Sequence, residues 1–252
     1  MYDLQRAGGF KRFSAFLFDF IILSILAVGF AFAISAITGY DARLDDYEAK
    51  VKEYEAAYGV EFDISQEEYE ALEGEALDNF KAAEKAFGTD PEVSGIYTVI
   101  FNLTLLTVSL SLFLAYFVAE FVIPLILGNG QTVGKKVFAV GVMFNNGVKL
   151  NSLGLFVRSV LGKYTVETMV PVLILMMVVF FGAGYIGLIA LVLIPVLEMV
   201  LFFASHNRTL IHDALSGTVT VDMASQMIFD SYDEMMAYKN RVHRENVDTT
   251  GY

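Results

Sequence analysis

The chain predicts an all-α polytopic membrane protein with about four transmembrane helices, the last two forming a tight hairpin. An acidic extracytoplasmic helical hairpin and a small cytoplasmic β-hairpin plus interfacial helix complete the expected fold. Three observations carry this reading. Hydrophobic residues make up 56% of 252 residues and the mean hydropathy is +0.55, too apolar for an ordinary soluble domain. The apolar residues fall in blocks long enough to cross a bilayer rather than in helical stripes. The net charge of −12 is local: residues 41–92 hold 17 Asp+Glu against 5 Lys+Arg, and the rest of the chain is balanced.

The first segment, 1–38, places basic Arg6, Lys11 and Arg12 before an apolar run from Phe13 to Thr38. The run is too long for a signal-peptide core and Asp19 interrupts it, so an uncleaved first span is expected. Residues 39–94 form the acidic insert. Leu44, Tyr47, Val51, Tyr54 and Tyr58 recur at helical spacing. Ser65 with Glu68 reads as a capping box, and Ile64 with Tyr69 as its hydrophobic staple. The second stripe runs Tyr69, Leu72, Ala76, Phe80, Ala83 and Phe87, and Gly88 with Asp90-Pro91 is expected to stop it. Two such stripes joined by a short loop make an antiparallel helical hairpin, either a solvated cap or a docking surface for an extracytoplasmic protein partner.

Residues 95–127 make the second span, interrupted by Glu120 and Pro124. Residues 128–168 form a basic loop with Lys135, Lys136, Lys149, Arg158 and Lys163 against Glu167 alone. Within it, alternating Val140, Val142 and Phe144 before Asn145-Asn146-Gly147 signal a β-hairpin. Residues from Ser152 to Thr168 read as an interfacial amphipathic helix whose Arg158 and Lys163 reach anionic lipids at the inner interface. Residues 169–204 are too long for one span; Gly182-Ala183-Gly184 divides them into two short ones, the alternative being one kinked helix. Residues 205–252 hold a His-Asp segment and a charged tail, frayed or disordered. The positive-inside rule places the N-terminus and the basic loop in the cytoplasm. With four spans, the C-terminus and Arg208 join them.

Several function classes are set aside. The chain has no cysteine, so thiolate catalysis and Cys-ligated zinc are excluded. It has no dense interleaving of basic and aromatic residues, so no nucleic-acid partner is expected. Gly128 to Lys136 resembles a phosphate-binding loop only superficially: Asn129 stands where its first glycine belongs and Lys136 where Ser/Thr belongs. His206, His212 and Asp213 do not share one clear helical face, so no metal site is expected from them. No hydrolase signature appears. A non-enzyme without cofactor is the expectation.

Carboxylates within apolar runs are functional-site candidates, because each is expensive there unless paired or hydrated. Asp19, Glu120 and Glu198 are the candidates for an ion or proton pathway. Arg12 lies two helical turns from Asp19, and Pro124 and Pro195 each stand near a carboxylate, where they free a backbone carbonyl. The alternative is that these acids form structural ion pairs with Arg12, Arg158 or Lys163.

Three motifs then resemble one family. Ala7 to Asp19 (AGGFKRFSAFLFD) is similar to the opening signature of the RDD family of bacterial membrane proteins. Gly130, Gln131, Thr132, Gly134 and Lys135 resemble its glycine-lysine loop, and Leu210 to Thr218, with His212 and Asp213, its histidine-aspartate segment. The resemblance makes Arg12 and Asp19 the family's named arginine and first aspartate and Asp213 the second, with Arg158 matching an arginine after the loop. The insert is longer than the family's usual connection. Transport, with cation/proton antiport proposed for some members, is what the resemblance implies. Four short helices are few for alternating access, so a homo-oligomer is expected. A non-transporting adaptor or assembly factor acting through the acidic hairpin is the alternative.

Overall fold

The computed structural model describes residues 4–182, 184–205 and 209–250. His206, Arg208 and Ala183, which entered the reading above, lie outside the described residues. In chain order the helices are α1 (Gly9–Thr38), α2 (Tyr40–Tyr58), α3 (Gln66–Glu70), α4 (Gly74–Thr89), α5 (Pro91–Leu127), α6 (Val133–Val137), α7 (Ser152–Phe181), α8 (Gly184–Ala204), α9 (Ile211–Ser216) and α10 (Tyr232–Thr250). Strand β1 (Val140–Phe144) precedes α7, and β2 (Thr218–Asp222) follows α9.

Four of these helices, α1, α5, α7 and α8, are long and apolar enough to cross a membrane. Only 6% of the apolar window of α1, and the same share for α7 and α8, is buried within the chain. Side chains such as Ile25, Phe32, Ile189 and Phe203 therefore point away from protein, and acyl chains are the solvent that suits them. The chain is a multi-pass membrane protein. Gly182, at φ 62°, ends α7 in the left-handed conformation and Gly184, at φ 53°, opens α8 in it. That geometry suits glycine and makes the α7–α8 hairpin.

The chain divides into two compact units, residues 28–111 and residues 1–27 with 112–252. In the first, α2 packs on α4 through rings, Tyr47 and Tyr54 meeting Phe87, while Phe62 of the following loop and Tyr69 of α3 meet Phe80. Ser65 caps α3 with the reciprocal Ser65–Glu68 bonds of a capping box. The second stripe is not one helix, however. It breaks at residues 71–73, because Gly74 takes φ +56°, which a continuing helix cannot hold. Gly88 lies inside α4, and the stop falls one residue later, at Thr89, ahead of Asp90 and Pro91. Asp90 then accepts the Glu92 N–H at 2.7 Å at the start of α5.

In the second unit, β1 and β2 pair antiparallel with Val142 opposite Thr220. This revises the hairpin expected around Asn145-Asn146-Gly147. The Asn145-Asn146-Gly147 turn does form, with Phe144 N–H donating to Val148 O at 2.9 Å and a single bridge from Met143 to Lys149. Along its length, though, β1 takes β2 as partner, because Thr218 to Val221 offers a β-branched strand buried on both faces. Met143, Val219 and Val221 form the core there, packed by Leu4 and Ile228. The tail that followed Asp222 in the sequence reading is helical from Tyr232.

The expected interfacial helix is also revised. Ser152 begins the same continuous helix that crosses as the third span, so the boundary placed at 168/169 falls inside α7. Its stretch Val157–Met169 is π-helical, as is Phe117–Val122 of α5. The Val170 N–H reaches back five residues to Thr165 O, and the Thr165 and Thr168 hydroxyls bond the carbonyls of Val160 and Lys163. A five-residue step brings Arg158, Lys163 and Glu167 to one side of α7, where they meet side chains of α5 and α9.

Candidate functional site

Residues of α1, α5, α6, α7, α8 and α9, all within one compact unit, line a cavity of about 330 Å³. Asp19, Glu120 and Glu198 all face it, together with Arg12, Lys135, Arg158, Lys163, Glu167 and His212. The fold therefore brings the three candidate carboxylates to one space but gives each a different neighbourhood.

Glu120 sits in the π-helical stretch of α5 between two lysines, Lys163 of α7 at 2.5 Å and Lys135 of α6 at 3.5 Å. It is 8% exposed, and a carboxylate so buried is tolerable only with such partners. This is the structural ion pair that the sequence reading carried as its alternative. Lys135, at 9% exposure, is itself costly to bury; burial pushes its ammonium down to about 8, with Glu120 opposing.

Asp19 is held by hydrogen bonds. The Thr132 hydroxyl and the Gly134 N–H, the latter at 2.7 Å, both donate to its carboxylate. Thr132 is the N-cap of α6. Gly134 has no side chain for a specific reason: a Cβ there would lie 2.9 Å from the Asp19 carboxylate and closer still to the Ala15 carbonyl. Gly130, at φ +58°, fits beneath Val142, and Gln131 Nε2 donates to Val140 O at 2.8 Å. The glycine-lysine loop is thus a clamp on the first span.

Asp213 receives two guanidinium groups. Arg158 donates to its Oδ1, and Arg12 Nη2 lies 3.6 Å from Oδ2. Arg158 also donates to Thr218 Oγ1 at 2.6 Å. Asp213 is 1% exposed and Arg158 3%. Burial alone would raise the Asp213 carboxyl, but Arg158, His212 and Arg12 outweigh it and hold the group well below the usual carboxylate range. Arg12 additionally stacks over Phe202 at 5.3 Å.

These contacts tie the N-terminal, loop and His-Asp motifs into one constellation. The model of the RDD family matches residues 6–217, most of the chain. The chain belongs to the RDD family. No curated protein and no solved structure matches it. In this RDD protein, the arginine and aspartates that carried the resemblance hold elements together: Arg12 reaches Asp213, and Asp19 fastens α1 to the loop before α6.

The third neighbourhood was not legible beforehand. His212 donates Nδ1–H to the Glu167 carboxylate, 2.8 and 2.9 Å from its two oxygens, and its backbone N–H reaches the same group at 2.8 Å. Burial, followed by the Arg158 charge, keeps the imidazole below its ordinary pKa. Glu198 of α8 stands next to this pair. Its Oε1 is buried without a hydrogen-bond partner among the described residues. Gly162 makes the approach of α9 possible, since a Cβ there would lie 2.6 Å from His212 Cβ. Glu167 entered the sequence reading only as a stray charge on a basic loop; its burial against His212 follows from the π step of α7, which an α-helical period misplaces.

Proposed function

We propose that this RDD protein is a transporter of the bacterial plasma membrane, with both termini cytoplasmic, exchanging a monovalent cation for protons through the charged cavity. One observation supports the reading above the others. Asp19 lines a cavity among membrane-spanning helices and is satisfied by a hydroxyl and a backbone N–H rather than by a lysine or arginine. A carboxylate held in this way can exchange a proton for a cation, because neither donor brings a competing positive charge. Protonating it weakens both bonds to the loop before α6, which couples occupancy to the fit between that loop and α1.

Glu120, bridged by two lysines, is the scaffold of that pathway. Exchange by so few spans is assigned to a homo-oligomer. The test is reconstitution in liposomes carrying a pH-sensitive dye, under sodium and then potassium gradients. The expected result is a dye response in the wild type that vanishes in Asp19→Asn. Undiminished flux in that variant, or no response from correctly folded wild type, would defeat the reading.

A second reading has one observation behind it: the acidic residues are gathered in a compact unit with its own aromatic packing. In that reading the protein is an adaptor whose acidic hairpin docks an extracytoplasmic partner. Crosslinking that recovers a partner from the full chain, but not from a chain lacking residues 41–92, would favour it.

A further inference from the structure

Of the four acids that line the cavity, Glu120 is bridged by lysines and Asp19 is clamped by the loop, which leaves Glu167 and Glu198. These two and His212 come from α7, α8 and α9, and one ligand atom from each lies within 4.8 Å of the others. Among the described residues, neither glutamate forms an ion pair with lysine or arginine, and Glu198 Oε1 has no donor at all. Two carboxylates this close, with Glu198 Oε1 buried and unpartnered among the described residues, repel each other, and a cation between them relieves that repulsion.

We propose that Glu167, Glu198 and His212 bind one divalent transition-metal ion, of the class of Zn²⁺ or Mn²⁺. Two hard carboxylate oxygens with one imidazole nitrogen suit such ions. Mg²⁺ and Ca²⁺ favour oxygen alone. Three protein ligands leave a coordination position facing the cavity for water or a solute.

The proton inventory closes within the site. In the resting arrangement His212 Nδ1–H donates to Glu167. When Nδ1 binds the metal, its proton passes to Nε2, which lies 3.8 Å from Asp213 Oδ2. That oxygen is a second buried acceptor without a hydrogen-bond partner among the described residues. A small side-chain movement completes a carboxylate–imidazole–metal relay, in which the outer carboxylate fixes the tautomer and orients the ring. Arg12 and Arg158 hold Asp213 in place for that role.

The inference does not rest on transport, because binding is read without any gradient. Tag-free full-length protein in detergent is dialysed against Zn²⁺ or Mn²⁺ and the bound metal is counted. The expected result is about one ion per chain, undisturbed by excess Mg²⁺. Glu198→Gln and His212→Gln should each weaken binding by about 100-fold or more, at or beyond the upper end of what a lost outer partner causes. On the wild type alone, pulsed EPR of bound Mn²⁺ should show one directly coordinated nitrogen, a readout that needs no variant to fold. Binding far below one ion per chain would overturn the proposal. So would Mn²⁺ without nitrogen, equal affinity in a monodisperse Glu198→Gln, or a loss that follows His206→Gln or His243→Gln instead.

Discussion

Replacing Asp213 by asparagine removes one charge and almost no volume, so it isolates the electrostatics of the buried centre. Asp213 is 1% exposed and Arg158 3%; neither can turn to water when its partner is lost. Removing one member of such a pair typically costs about 3–5 kcal/mol. Thr218 Oγ1 remains bonded to Arg158 at 2.6 Å, and Arg12, whose side chain is 13% exposed, can recover some hydration; both favour the lower end. At about 2–4 °C per kcal/mol for a chain of this size, the midpoint should fall by roughly 6–20 °C. Far-ultraviolet circular dichroism in detergent is the suitable assay, since the chain has no tryptophan. The double variant Arg158→Met/Asp213→Leu should recover much of the loss, because well-packed apolar residues replace a buried pair at little or no cost. The gap between wild type and Asp213→Asn should also depend on pH. Asp213 is held below its unfolded value, so its contribution is present above about pH 4 and is lost as pH falls below that. A drop of less than about 2 °C at neutral pH would refute this reasoning and make the pair incidental.

Three further outcomes are expected. Burial holds Lys135 at about 8, against about 10.4 in the unfolded chain. Between those values the unfolded state binds more protons, so stability should rise with pH, and Lys135→Met should flatten that rise in thermal scans at pH 7 to 10.5. Gly134→Ala puts a methyl group against Ala15 O and the Asp19 carboxylate; it should cost about 1–3 kcal/mol and expose the Asp19 environment to hydrogen exchange in α1, whereas unchanged exchange would dismiss the clamp. Gly162→Leu should push α9 from α7, because even a Cβ there meets His212 at 2.6 Å; a crosslink engineered between the two helices should form in the wild type and fail in the variant.

The spans were legible because block length is a one-dimensional property: twenty apolar residues cross a bilayer whatever surrounds them. The Ser65–Glu68 capping box was legible for a similar reason, since both partners lie within one turn. What the sequence did not disclose depends on contacts between distant residues. Nothing near Gly134 announces that its N–H belongs to Asp19, 115 positions earlier. Strand β2 did leave a signal in alternating Thr218-Val219-Thr220-Val221, but five residues beside a helix compete poorly with the stronger turn at Asn146-Gly147. The π-helical stretch of α7 was the costliest omission. At the α-helical period Lys163 turns well away from Arg158, so the side chains that meet Glu120, Asp213 and His212 read as a basic face turned towards lipid headgroups.

The distribution of charge around the cavity links these pieces. Its cations are not shared evenly. Lys135 and Lys163 converge on Glu120, and Arg12 and Arg158 on Asp213, so two acids are each over-neutralised by one positive charge. Among the described residues, Asp19, Glu167 and Glu198 have no lysine or arginine ion pair. Spreading those four cations one to a carboxylate would have left one of the five acids without a fixed counter-charge instead of three. The observed arrangement builds two rigid ionic posts, one joining α5 with α6 and α7, the other joining α1 with α7 and α9. Besides them stand Asp19, Glu167 and Glu198, the carboxylates that the proposed exchange and the proposed metal site would use. A proton or monovalent cation at Asp19 and a metal ion at Glu167, Glu198 and His212 are the two occupants that chemistry suits. The doubling of cations elsewhere leaves these three carboxylates without a lysine or arginine partner among the described residues, in a cavity lined by four such side chains.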